Sequence, residues 1–245
     1  MFYGLRSDAD MEVLNSALAS LRSIFPRVVG TDNMILLNRS LGFRRDKKFM
    51  QAVQRQSRDA QERSLFLRLH TLAWGALHAL NTAGDFVECG VYRGYSSAVL
   101  AEYLGFATLP RQFYLYDTFA GIPPEQDAEQ HDTPIYHEDG LYQSVVARFA
   151  EYPNIRVIRG AVPQSFAEGV PDTIAFLHID MNSSVAEIAA LDHLFDRVSP
   201  GGVIIFDDYG WGGYEAQLYA EQDFMKKRGH YILELPTGQG MVIKH

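Results

Sequence analysis

The stretch Asp-Phe-Val-Glu-Cys-Gly-Val-Tyr-Arg-Gly-Tyr-Ser-Ser, residues 85–97, decides the fold class of this 245-residue chain. A short apolar run, typical of a buried parallel strand, stops there at an acid, Glu88. Gly90 and Gly94 follow, and a helical pattern over 96–103 comes next. Because glycine lets the backbone turn sharply and lets a ligand approach it closely, this strand, turn and helix predict a small-molecule site.

Short apolar runs alternate with helical patterns along the rest of the chain. Strands are predicted at 85–88, 113–116, 155–158, 174–179 and 203–206. Two further strands, at 230–235 and 240–244, are separated by the turn-rich Pro236-Thr237-Gly238-Gln239, which predicts a hairpin. This order predicts an α/β fold, in which a mostly parallel seven-stranded sheet is covered by helices on both faces and ends in an antiparallel hairpin.

The sequence before this region has a helical character. Apolar residues at helical spacing predict helices over 10–25 and 59–81. The length of the chain fits one full core with an appended segment. We therefore expect a helical N-terminal cap or lid at 1–83 and a ligand-binding domain at 84–245.

Composition excludes several classes of protein. The net charge of −8 argues against non-specific nucleic-acid binding. No apolar run approaches the ~20 residues that a membrane span needs, and the first 30 residues do not resemble a signal peptide. The single cysteine, Cys89, excludes an intrachain disulfide, which suits a cytoplasmic protein, and we interpret it as a small buried thiol. A homodimer would be unsurprising.

Acidic residues follow most of the predicted strands, and in an open parallel sheet ligands bind outside these strand ends. The first two are Glu88 and Asp117, which lie 29 residues apart, too far for the acid of a dinucleotide motif. They suit a ligand that has a positive charge and a ribose, with Glu88 facing the charge and Asp117 accepting from the hydroxyls. S-adenosylmethionine has both groups. A nicotinamide dehydrogenase remains an alternative.

The remaining acids, Asp180 and the pair Asp207-Asp208, follow the next two predicted strands. Neighbouring strand ends lie within reach of one ion, and oxygen ligands favour a hard cation such as Mg²⁺. The alternative is that Asp207 caps a turn and Asp208 is solvated. We interpret His178, inside a strand pattern, as a hydrogen-bonded core histidine.

The irregular stretch 118–140 contains several prolines and acids. A loop of this length is usually functional or mobile. We interpret His131 and His137 within it as surface imidazoles, because no spacing typical of metal ligands is apparent.

Four motifs occur in order along the chain: Asp-Phe-Val-Glu-Cys-Gly-Val-Tyr-Arg-Gly (85–94), Leu-Tyr-Asp-Thr-Phe-Ala-Gly-Ile-Pro (115–123), Ile-Asp (179–180) and Gly-Gly-Val-Ile-Ile-Phe-Asp-Asp-Tyr-Gly (201–210). Together they resemble the macrocin O-methyltransferase family. Members of that family are class I, S-adenosylmethionine-dependent and metal-dependent enzymes that methylate sugar hydroxyls of natural products. The resemblance implies a Rossmann-like class I methyltransferase fold and a small-molecule acceptor carrying a hydroxyl.

The resemblance also implies roles for individual residues. It implies a metal, Mg²⁺ or another hard divalent cation, held by Asp180, Asp207 and Asp208. It implies cofactor contacts at Glu88, Gly90, Tyr92, Gly94, Ser96 and Asp117, with the adenine near Gly160, Ala161 and Val162. We also predict cofactor contacts at Thr118 and Asp180, and we choose Asp180 as the catalytic base.

One position departs from the family pattern. The family usually has Asp-x-Asp, and in this chain asparagine, Asn182, occupies the position of the second acid. An amide oxygen can coordinate a metal, but it cannot take a proton. A family member that binds S-adenosylmethionine with reduced or no methyl transfer is therefore the alternative function, and a metal-independent methyltransferase is a further one.

Overall fold

The computed structural model describes residues 2–127 and 136–245. The chain forms two compact units, one up to His70 and the other from Thr71. The predicted division at 83/84 lies further along the chain and stays a prediction. In the described part, no helix is long and apolar enough to cross a membrane.

The N-terminal unit combines three helices with a two-stranded hairpin. Its elements are α1 (Asp8–Ile24), β1 (Val28–Thr31), β2 (Met34–Leu37), α2 (Lys47–Gln56) and α3 (Ala60–Ser64). Asp32 and Asn33, both with positive φ, make the tight turn between the antiparallel strands. The buried Asp32 carboxylate pairs with the Arg68 guanidinium at 3.1 Å. Only helices were predicted for this part of the chain, so the hairpin was not predicted.

The predicted helix over 59–81 divides into two. Helix α3 ends at Ser64, and α4 (Phe66–Ala79) begins after a break at Leu65. Helix α4 runs across the boundary between the two units.

The C-terminal unit contains the seven-stranded sheet. Its strands are β3 (Asp85–Cys89), β4 (Phe113–Asp117), β5 (Ile155–Arg159), β6 (Ile174–Ile179), β7 (Val198–Phe206), β8 (Leu233–Glu234) and β9 (Gly240–Ile243). Their order is β5-β4-β3-β6-β7-β9-β8, parallel from β5 to β7, with β8 and β9 antiparallel. The predicted mostly parallel sheet and its antiparallel C-terminal hairpin are confirmed.

Four helices lie between or after these strands: α5 (Tyr95–Leu104), α6 (Leu141–Arg148), α7 (Ser184–Leu194) and α8 (Glu215–Lys227). Ser183 caps α7, since its hydroxyl accepts the N–H of Ala186 at 3.1 Å. Helix α8 was not predicted.

Apolar side chains cover both faces of the sheet. On one face, the rings of Phe86, Phe106, Phe113 and Phe176 pack with centroids 5.2 to 5.8 Å apart. On the other face, Cys89 belongs to a large buried cluster, and burial raises the pKa of its thiol well above the usual value. A buried, protonated thiol fits the structural interpretation of Cys89.

Part of the long predicted loop lies outside the described residues. His131 falls there, so its interpretation stays a prediction. His137 is described: its side chain is largely exposed, and its Nε2 lies 3.8 Å from Asp139 Oδ1.

Candidate functional site

The candidate site lies where the strand order reverses. From β3 the chain proceeds outward to β4 and β5 and then returns to β6 on the other side of β3. Such a switch point, at the carboxyl ends of the strands, is where open α/β sheets bind ligands. Glu88, Asp117, Asp180 and the pair at 207–208 all lie at this edge, as predicted.

The glycine turn after β3 packs directly against the protein itself. A Cβ atom on Gly90 would lie 1.7 Å from the carbonyl oxygen of Asp180, and Gly90 has a φ of +90°. A Cβ atom on Gly94 would lie 2.9 Å from the Phe149 ring. Packing therefore requires both glycines, whether or not a ligand approaches them.

Asp117, the second predicted cofactor residue, fixes the shape of this turn. Its Oδ2 accepts the backbone N–H groups of Val91 and Tyr92 at 2.7 and 2.8 Å, and its Oδ1 accepts that of Phe119 at 2.6 Å. A carboxylate has about four acceptor positions. About one acceptor position of Asp117 remains, on Oδ1. In this arrangement Asp117 could therefore accept a hydrogen bond from one ribose hydroxyl, not from the predicted two.

The other predicted cofactor residues surround the same turn. Tyr92 has a positive φ, and its hydroxyl donates to Glu138 at 2.6 Å. Ser96 is half-buried at the start of α5. Thr118 donates to the carbonyl of Gly121 at 2.6 Å.

The segment 160–162 follows β5 at the same edge. The N–H of Gly160 donates to the carbonyl of Asp117 at 2.8 Å, which joins the ends of β4 and β5. Ala161 comes next, and the carbonyl of Val162 accepts the side-chain amide of Gln126 at 2.6 Å. Gln126 lies in the long loop and binds segment 160–162 through this hydrogen bond, but it was not predicted from the sequence.

Glu88 has buried partners of its own. Its side chain is 3% exposed, Ser97 donates to Oε2, and Nδ1 of His178 lies 2.8 Å from Oε1. Glu88 and His178 are paired residues of β3 and β6. Here the Glu88 carboxylate therefore orients His178, and its predicted contact with the positive end of a cofactor stays a prediction.

His178 extends this contact to the next strand. Its Nε2 is buried without a hydrogen bond among the described residues and lies 3.5 Å from Asp207 Oδ1. Burial alone would lower the pKa of His178, but its interactions with Asp207 and Glu88 outweigh burial and raise it well above the usual value. The predicted hydrogen-bonded core histidine is confirmed, and it also faces the acids.

Three potential metal ligands meet at this point. Ligand atoms of His178, Asp180 and Asp207 lie within 4.8 Å of one another, the only such group among the residues described. Burial raises the pKa of Asp180 well above its usual value, and the charges of Asp207 and Asp208 raise it further. A cation would offset this repulsion.

Asp208, the third predicted ligand, is not part of that group. Its Oδ2 accepts the side-chain amide of Asn182 at 2.5 Å. Asn182 has a φ of +53°, a conformation that asparagine tolerates better than most residues. The side-chain amide of Asn182, where the family usually has an acid, thus donates to Asp208, a role that an ionised carboxylate could not fill.

Two tyrosines lie close to these acids. The hydroxyls of Tyr136 and Tyr214 hydrogen-bond to each other. Burial raises the pKa of Tyr214, and the charge of Asp208 raises it further. Phenols in this position would stay protonated and could donate to a ligand.

A buried carboxyl pair supports the turn that carries Asp180. Oε1 of Glu187, on α7, accepts the N–H of Met181 at 3.2 Å and the amide of Gln217 at 2.8 Å. Glu187 also hydrogen-bonds to Glu221 on α8, which requires one of the two acids to be protonated. Burial, together with the charge of Glu187, raises the pKa of Glu221 well above its usual value.

The chain matches the family described as Macrocin-O-methyltransferase (TylF) over residues 68–231. It is 28% identical to the 8-demethyl-8-(2,3-dimethoxy-alpha-L-rhamnosyl)-tetracenomycin-C 4'-O-methyltransferase of Streptomyces olivaceus, over 66% of each chain. It is also 28% identical to the mycinamicin III 3''-O-methyltransferase of Micromonospora griseorubida, over 51% of this chain and 55% of that one. The chain thus spans about half to two thirds of the length of these relatives.

Solved structures show the same fold. The O-methyltransferase NovP superposes with a TM-score of 0.63 at 20% identity, covering 74% of this chain and 81% of that chain. A calicheamicin methyltransferase superposes with a TM-score of 0.60 at 14% identity, covering 84% and 94%. The predicted class I methyltransferase fold is confirmed, and the chain belongs to the macrocin O-methyltransferase (TylF) family.

Proposed function

We propose that this protein is an S-adenosylmethionine-dependent O-methyltransferase that acts on a hydroxyl of a sugar or another small natural-product acceptor. The observation that carries the proposal is the convergence of His178, Asp180 and Asp207 at the switch point of a methyltransferase fold. Membership of the family and the O-methyltransferase activities of its relatives support it.

A divalent cation, Mg²⁺ or a similar hard ion, fits the donors present. Asp180 and Asp207 would hold it, with His178 or Asp208 as the third ligand. The contact between Glu88 and His178 Nδ1 leaves Nε2 directed toward the acids, an arrangement common for metal-binding histidines. The cation would supply Lewis acidity that lowers the pKa of an acceptor hydroxyl.

The chain's own residues would position the reactants. The turn held by Asp117 would orient the cofactor, and most of the rate gain would come from placing the acceptor oxygen behind the sulfonium methyl carbon. Asp180 would take the hydroxyl proton, since burial and the charges of Asp207 and Asp208 raise its pKa and so make it a stronger base. Tyr214 could donate a hydrogen bond to the acceptor.

The test is transfer of isotope-labelled methyl from S-adenosylmethionine to a panel of glycosides and phenols. Excess EDTA should abolish transfer, and Mg²⁺ should restore it. Asp207→Asn should lower turnover by about 100-fold or more, because a metal contributes several kcal/mol. Binding of S-adenosylhomocysteine should be largely retained. Asp172→Asn, at an exposed position, is the matched control. Unchanged turnover in EDTA would contradict the metal role.

The alternative is a family member with reduced or no methyl transfer. It is favoured by Asn182, whose amide donates to Asp208 where the family usually has an acid. In that case S-adenosylhomocysteine would bind, but no acceptor would take label. Recovery of transfer in Asn182→Asp would identify the missing acid as the cause.

A further inference from the structure

A cavity in the N-terminal unit is rich in arginine. It has a volume of about 590 Å³ and is lined by Arg22, Phe25, Pro26, Arg27, Val28, Val29, Arg39, Ser40, Leu41, Arg44 and Arg45. Five of these residues are arginines, and none of the described residues that line the cavity is acidic. The volume falls within the range of about 300–1,000 Å³ that is typical of small-molecule pockets.

Local structure brings these arginines together from separate parts of the sequence. Arg22 lies in the last turn of α1, and Arg27 immediately precedes β1. The N–H of Asn38 donates to the carbonyl of Arg27 at 2.9 Å, which closes the open end of the hairpin and places Arg39 beside it. Asn38 and Leu41 both have positive φ, so the backbone around Arg39 adopts an uncommon conformation.

The last two arginines belong to a short 3-10 turn, Gly42–Arg45. The guanidinium of Arg44 lies over the Phe66 ring, 5.2 Å from its centroid. None of the five arginines forms an ion pair with any residue that the structure describes.

The charge of the sequence is divided unevenly. Residues 1–70 contain twelve Lys and Arg against seven Asp and Glu, a formal charge of +5. Residues 71–245 contain ten Lys and Arg against twenty-three Asp and Glu, a formal charge of −13. The basic cavity therefore belongs to a positively charged segment of an otherwise acidic protein.

The five guanidinium groups concentrate positive charge in and around the cavity. An anion can offset it, and the planar guanidinium group suits the oxygens of phosphate. The apolar wall formed by Phe25, Pro26 and Leu41 would suit a ring attached to that phosphate. We propose that this cavity binds a small molecule carrying a pyrophosphate group, of the nucleoside diphosphate class.

This proposal does not depend on methyl transfer, so it is tested by binding. Calorimetry at low salt would use pyrophosphate, uridine diphosphate, inorganic phosphate and uridine. We expect uridine diphosphate and pyrophosphate to bind more tightly than phosphate, uridine not to bind, and affinity to fall as salt rises. Equal affinity for phosphate and uridine diphosphate would show that the cavity binds only inorganic phosphate, and it would overturn the proposed binding of a nucleoside diphosphate.

Variants locate the binding. Arg39→Gln and Arg45→Gln should each weaken pyrophosphate binding about tenfold or more, as expected for a lost charged hydrogen bond. Arg6→Gln removes the same charge from an arginine of this unit that does not line the cavity, and it should change affinity less than about twofold. Thermal unfolding would verify that all three variants are folded.

Two results would overturn the proposal. One is the absence of pyrophosphate binding to the wild-type chain at about 10 mM, a concentration that would nearly saturate a site with a Kd of about 1 mM. The other is an equal loss of affinity in Arg6→Gln, which would indicate a diffuse charge effect. Arginine-dependent binding to phosphatidylserine vesicles without pyrophosphate binding would instead identify a membrane-facing surface.

Discussion

Replacing Glu221 by glutamine should change how the stability of the protein depends on pH. The raised pKa of Glu221 means that the folded protein keeps a proton which the unfolded chain, with a glutamate pKa of about 4.3, has released. The stabilising contribution is complete below pH ~4.3 and is lost as the pH rises through the folded-state pKa. The contribution of Glu221 to the free energy of unfolding therefore falls with rising pH.

The magnitude follows from linkage. One proton held only by the folded state changes the free energy of unfolding by at most about 1.4 kcal/mol per pH unit. Glutamine cannot ionise, and its amide can donate to Glu187. The stability of Glu221→Gln relative to wild type should thus rise at up to this rate as the pH increases from about 4.3 toward the folded-state pKa, and each kcal/mol corresponds to roughly 2–4 °C in melting temperature.

The measurement is urea unfolding of both proteins across this pH range. Glu151→Gln, which removes an exposed glutamate, is the control and should follow the wild-type profile. Other buried groups titrate in both proteins, so the difference between the two profiles isolates the pair formed by Glu187 and Glu221. Parallel profiles for wild type and Glu221→Gln would refute the shared proton between α7 and α8.

Two further substitutions test the site. Gly90→Ala should cost more than about 4 kcal/mol, because its Cβ would overlap the Asp180 carbonyl, whereas Gly105→Ala should cost about 1–2 kcal/mol from its left-handed backbone alone. Equal losses in chemical unfolding would contradict this packing argument. Asn182→Asp should destabilise the protein by about 1–3 kcal/mol in EDTA, since the bond to Asp208 is replaced by repulsion. Mg²⁺ should reverse the loss in melting temperature, and the same loss with and without Mg²⁺ would argue against a cation there.

Three strands of the C-terminal unit, β3, β4 and β6, could be predicted because each is a short apolar run that is almost entirely buried. Strand β6 (Ile174–Ile179) is buried at every position, and its predicted bounds agree with the structure. The acids at the strand ends could be predicted for the same reason, since the carboxyl ends of parallel strands share one edge.

Helix α8 was missed because its buried face is partly polar. Gln217 and Glu221 are buried at helical spacing, where a search for apolar periodicity expects hydrophobic residues. Their partner Glu187 lies on another helix, and only the folded structure reveals it. The hairpin of the N-terminal unit was missed because its two strands have only four residues each.

The internal contacts of the site also required the structure. Gly90 and Asp117 were predicted as contacts of a ligand, yet both also contact residues of the protein itself. The pairing of Glu88 with His178 depends on the register between β3 and β6, which one sequence does not specify.

Glu88, His178 and Asp207 form a continuous polar row across three adjacent strands, with the imidazole in the middle. Loss of any one member alone would leave a buried charge or donor without its counterpart. In related sequences these three residues should therefore be substituted together. A stable replacement of His178 should be accompanied by substitutions at Glu88 and Asp207.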